Sequence, residues 1–173
     1  MPWWLTVYCR SSVGELDAQQ LADGLRNRDP RAPAGVDYLA LGEEYELDEA
    51  EVSAALEHLV VEAAGDKPLD VEIRYRPEPD ARPIIVHLWD QPDRIADEVE
   101  EAIDGRDPPE GAGPYLSACR EVVGLELGFG QLEDMGLVLA CELARYLAQK
   151  GDGVIVDDEN EWYAVDDGEF VDP

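Results

Sequence analysis

Between residues 123 and 165 the hydrophobic period changes twice, and few architectures can accommodate that pattern. Val123, Leu125, Leu127 and Phe129 alternate with Gly124, Glu126 and Gly128, the period of a strand. Leu132, Met135, Leu139, Leu143 and Leu147 then recur at helical spacing, with Val138, Cys141 and Tyr146 widening the stripe. The spacing predicts a helix over 131–150, stopped by Gly151 and Gly153. Val154-Ile155-Val156, a turn at Asp157-Asp158-Glu159-Asn160, and Trp162-Tyr163-Ala164-Val165 follow as a hairpin. A helix with an apolar stripe, set between strands with one apolar face, must lie on a sheet.

The earlier residues repeat the theme. Trp3 to Arg10 is aromatic and β-branched and reads as a strand; Ser11-Ser12 offer caps for a helix to about Arg26. Prolines and Gly35 mark a loop after it, and Val36–Leu41 is a short apolar patch, strand or turn. Asp48, with Glu51 three residues on, opens a second helix whose stripe is Val52, Leu56, Leu59 and Ala63, with Gly65 at its left-handed end. Residues 71–76 alternate strictly, 77–80 turn, and Ile84–Trp89 reads as a strand buried on both sides. Asp90 is placed to cap a third helix, with Pro92 in its first turn, Ile95, Val99 and Ile103 on one side and Gly105 at its end.

These elements define an α+β fold of helices covering mostly antiparallel sheets. They suggest two strand–helix–hairpin halves, 1–105 and 115–173, joined by a Pro- and Gly-rich linker at 106–114 and forming one compact unit. The acidic segment from Asp166 to Pro173 reads as a loose tail.

The formal net charge is −28, from 41 acidic and 13 basic residues, yet 45% of the chain is apolar, which argues for folding rather than disorder. Such a charge repels nucleic acid and anionic lipid as direct partners. No basic-then-apolar leader and no spanning segment are visible. Cys9, Cys119 and Cys141 are widely spaced within apolar patterns, as buried free thiols are. Together these place the chain in the cytoplasm.

Motifs for catalysis are lacking. Glu133-Asp134 suit a helix N-terminus, and Asp157-Asp158-Glu159 lack the spacing of a calcium loop, so no metal or cofactor is expected. His58 and His87 have no nucleophile in a suitable turn, and His87 reads as structural, at a strand edge. No phosphate-binding glycine motif is present. The expectation is a protein that is not an enzyme. Of the adjacent aromatics Trp3-Trp4 and Trp162-Tyr163, one of each pair must face outward on a half-buried strand.

Val123-Gly124-Leu125-Glu126-Leu127-Gly128, Leu132-Glu133-Asp134-Met135-Gly136, the helix ending Gly151-Asp152-Gly153-Val154-Ile155, and Glu161-Trp162-Tyr163 together resemble small bacterial immunity proteins of polymorphic toxin systems. The resemblance covers the last fifty or so residues. It implies a protein that binds a cognate protein toxin and blocks its active site or substrate entry. A basic toxin, or another basic protein, would meet a complementary field. Candidate contacts are Asp97, Glu98 and Glu101 in the third helix, and Asp157, Asp158, Glu161 and Trp162 in the hairpin. Two other readings stand beside it: an acidic mimic of nucleic acid that inhibits a DNA-binding protein, and a ligand-binding or enzymatic domain whose acidity reflects genome or habitat.

Overall fold

The alternation in residues 3–9 becomes the spine of the molecule. In the computed structural model, which describes residues 1–14, 17–28, 48–64 and 70–173, strand β1 (Trp3–Cys9) lies inside a single sheet. Its other strands are β2 (Val60–Ala63), β3 (Val71–Arg74), β4 (Ile84–Trp89), β5 (Glu121–Leu127), β6 (Gly153–Asp157), β7 (Trp162–Asp166) and β8 (Glu169–Val171). The order is β2-β3-β4-β5-β1-β6-β7-β8, and every neighbouring pair is antiparallel. The fold is α+β. The two stretches that read as halves share this sheet, because β1 pairs with β5 on one side (Leu5 opposite Leu125) and with β6 on the other (Leu5 opposite Asp157).

One face of the sheet carries Leu5, Val7, Cys9, Ile84, Val86, Leu88, Val123, Leu125, Leu127 and Ile155. Against it pack α1 (Ala18–Arg28), α2 (Glu49–Glu57) and α5 (Met135–Gly151). Leu137, Leu139, Leu143 and Leu147 of α5 are fully enclosed, each burial contributing about 1.5–3 kcal/mol. The opposite face carries Tyr8, Val122, Val154, Val156 and Trp162, covered by α3 (Pro92–Gly105) and the short α4 (Gly113–Ser117). Among the described residues no helix is long and apolar enough to cross a membrane.

Several expectations need correction. Helix α1 starts at Ala18, because the Asp17 carboxylate accepts the Gln20 amide at 2.9 Å. Ser12 is diverted instead: its hydroxyl donates to the buried Glu121 at 2.5 Å, and the Val13 amide donates to the same carboxylate at 2.8 Å. Helix α2 has its Asp48 cap, bonded to the Ala50 amide at 2.8 Å, but it ends at Glu57. The β-branched pair Val60-Val61 leaves the helix to form β2 against β3, tertiary pairing overriding helical spacing. Asp90 does not cap α3; Gln91 holds that position without a side-chain bond, and Pro92 follows it. Strand β4 alternates between a buried and a half-covered face rather than being sealed on both.

The 106–114 stretch runs along the surface, with Asp107, Pro109, Glu110, Gly113 and Pro114 exposed, and is anchored at Ala112. A 3-10 turn at Glu110–Ala112 leads into α4, and Ala112 and Leu116 are buried under the sheet with α3. Nor is the C-terminal segment loose. Asp167 and Gly168, both with positive φ, turn the chain back so that β8 pairs with β7. Phe170 then lies over the Arg145 guanidinium at 4.3 Å, and Pro173 packs onto Gly111. The apolar patch at 36–41 and Gly65 fall outside the described residues.

Candidate functional site

Helix α3 has two unlike sides. Ile95, Val99 and Ala102 face the sheet, and the Tyr8 hydroxyl donates to the Glu98 carbonyl at 3.4 Å. The outward side presents Asp93, Asp97, Glu100, Glu101 and Asp104, all exposed. Glu98 is half-buried and pairs with Arg94 four residues before it. Burial raises its carboxyl above the usual range, with Arg94 opposing.

The end of α3 is fastened to the β6–β7 turn. Arg106, the residue that closes the helix, donates from Nη1 to the Asp157 carbonyl at 3.1 Å, and its own carbonyl accepts the Trp162 indole N–H at 3.0 Å. The two acidic segments named from sequence are thereby joined, although 51 positions separate Arg106 from Asp157. Asp158, Glu159 and Glu161 are exposed on the turn beside the last turn of α3. Glu101, Asp158 and Glu161 therefore lie toward the Arg106 end of α3, with Asp104 and Glu159 added by the structure and Asp97 continuing the same helix face about one turn further back. Their charge was legible; their meeting depends on Arg106, which carries no pattern that announces it.

Two of the named residues are structural. Asp157 is completely enclosed: its Oδ1 accepts the amides of Glu159 and Glu161, both at 2.9 Å, and so shapes the turn. Burial raises its carboxyl too, and those two amides act in the opposite direction. Trp162 is 7% exposed, with its ring stacked on Tyr8 at 6.0 Å. Neither side chain is free to touch a partner. In each aromatic pair one member is buried, Trp3 and Trp162, while Trp4 and Tyr163 are half-exposed.

Toward β3, the same sheet face holds a polar chain. His87 lies in the interior of the sheet rather than at a strand edge, since β4 is flanked by β3 and β5. Its Nδ1 is 2.9 Å from Asp70 Oδ2 and its Nε2 is 3.1 Å from Glu126 Oε2, while Arg82 holds the other oxygen of Glu126. The ring stacks parallel to Trp89 at 5.8 Å and leans on Trp4 at 5.4 Å. Both ring nitrogens are thus within hydrogen-bonding distance of a carboxylate, one on each side of the ring.

Cys9, Cys119 and Cys141 form no disulfide. Burial pushes the Cys119 thiol up to about 11, which keeps it protonated and unreactive at neutral pH. Comparison with protein-family models, with curated proteins and with solved structures finds no match.

Proposed function

We propose that this chain is a non-catalytic binding protein that neutralises a cognate, basic protein toxin by covering its active or substrate-binding surface. The setting that fits it is the cytoplasm, where its three thiols stay reduced. The observation that carries this reading is the outward side of α3. Asp93 and Asp97, Asp97 and Glu101, and Glu100 and Asp104 are like charges four residues apart, each pair costing about 0.2–0.5 kcal/mol. Asp104 also sits in the last turn, at the negative end of the helix dipole, where the first cation is Arg106 at the cap. A helix arranged for its own stability would place these charges elsewhere. Carboxylates that oppose the local structure, and continue onto the β6–β7 turn, suit a surface that gains its favourable partner only on binding. The resemblance of the last fifty residues to immunity proteins points the same way.

The test uses the whole chain and the double variant Asp97→Lys/Glu101→Lys as baits in lysate of the native host, washed at low and at high salt. The expected result is one basic protein in near-equal amount with the wild-type chain, much less with the variant, and toxic on expression unless the wild-type chain is co-expressed. The variant should itself be as stable as the wild type or more so. A captured protein held equally by both baits, or one whose expression harms no cell, would refute the reading.

A further inference from the structure

On the other face of the molecule, independent of the acidic end, a groove runs along α2. Glu51, Ala54, Ala55 and His58 stand three and four residues apart and form one wall, about 10 Å from first to last. Two alanines in its middle leave space that longer side chains would fill. Tyr75, Arg76, Pro77 and Glu78 form the facing wall, with Asp134 and Met135 at the start of α5 below. The groove is open to solvent and offers about 260 Å³, the size of a small metabolite rather than a cofactor.

The groove is built before anything enters it. The Tyr75 hydroxyl donates to Asp134 Oδ1 at 2.9 Å and accepts from the buried Gln131 side chain at 3.3 Å. The same Asp134 oxygen caps α5 through the Gly136 amide. Arg76 pairs with the other Asp134 oxygen and keeps its side chain 47% exposed, so further N–H donors face solvent. His58, which closes α2, and Arg76, two residues beyond β3, both line the groove. Glu51 lies two helical turns away on the same wall. Arg76, one of its donors held by Asp134 and the rest free toward solvent, and His58 supply donors, Glu51 and Glu78 supply carboxylates, and Ala54, Ala55 and Met135 are apolar, so groups of both signs flank an apolar patch.

We propose that this groove binds a small zwitterion of the amino-acid or short-peptide class, its carboxylate at Arg76 and His58 and its ammonium toward Glu51. The chain holds two methionines and two histidines, so the probes are built in. Met135 and His58 line the groove, while His87, on the opposite sheet face, is the internal control.

The experiment titrates free amino acids and dipeptides, up to about 10 mM, tenfold above a millimolar Kd, into the full chain. Nuclear magnetic resonance of the methionine methyls and histidine rings is the readout. At least one probe should shift Met135 and His58 saturably and leave His87 in place. Its affinity should fall about tenfold or more when its carboxylate is amidated, when its amine is acetylated, and in Arg76→Gln. Ala54→Leu, which fills the groove, should abolish the shifts. Absence of a saturable shift from every probe would overturn the proposal, as would binding that Arg76→Gln and Ala54→Leu leave intact. Because the acidic end lies on the other face, Asp97→Lys/Glu101→Lys should bind the probe normally.

Discussion

Asp157 satisfies two amides with a carboxylate enclosed in a turn, and the enclosure has a sign that can be measured. Its folded-state carboxyl is raised above the ordinary value of 3.8. Between those two values the native chain holds a proton that the unfolded chain releases, so stability falls as pH rises through the window. Asp157→Asn keeps an acceptor for the Glu159 and Glu161 amides but does not titrate. Its stability relative to wild type should therefore be greater at pH 7 than at pH 4, by urea denaturation at both. Asp157→Ala loses the acceptor and should cost about 1–2 kcal/mol at pH 4 and less at pH 7, because it too no longer titrates. Gly124 makes a second residue-scale case. A Cβ there would lie 2.7 Å from the Trp89 ring and 3.1 Å from Trp4. Gly124→Ala should destabilise by about 1–3 kcal/mol, and a change within 0.5 kcal/mol would mean that the rings give way freely.

Among the elements, β8 shows most clearly what a three-residue strand contributes. It places Phe170 over Arg145, whose Nη1 donates to the Gly168 carbonyl at 3.1 Å and whose Nη2 lies 3.2 Å from buried Glu142. Phe170→Ala should open this ion pair to water and lower the unfolding free energy by about 1–3 kcal/mol, read by chemical denaturation. Sequence pattern revealed the elements unevenly. Strands β1, β5, β6 and β7 and helices α3 and α5 were legible, because each keeps one period along its length and ends at Gly, Pro or Asp. Strand β2 was not, since Leu59 and Ala63 continue the helical stripe of Val52 and Leu56 and only pairing with β3 marks the change. Strand β8 was hidden by acidic residues that mimic a tail. At the candidate site the carboxylates of α3 and of the turn were each visible, but burial of Asp157 and Trp162 follows from Arg106 drawing the two elements together, a contact without local signature.

For the molecule as a whole, −28 charges on 173 residues oppose the compact state. Salt shortens the reach of that repulsion from tens of ångströms at millimolar ionic strength to about 3 Å at 1 M. Thermal unfolding should therefore shift upward by several degrees between low salt and about 0.5 M sodium chloride, monitored by circular dichroism. A midpoint that stays constant would show that the ion pairs already absorb the repulsion. The Asp97→Lys/Glu101→Lys variant carries four fewer negative charges in net terms, so its dependence on salt should be shallower.

The sheet order has one more consequence, in the time it takes to make the protein. Strand β1 has β5 and β6 as its neighbours, so residue 5 must wait for residues 125 and 157. On a chain synthesised from its N-terminus, the spine of the sheet is made early and has nothing to pair with until nearly everything else has emerged. The β3–β4 hairpin is complete much sooner, but it too needs β5 to join the rest. Folding should therefore be a late event, slow for a chain of this size because its pairings are distant, and the unpaired Trp3–Cys9 segment would be the stretch most in need of protection while synthesis continues.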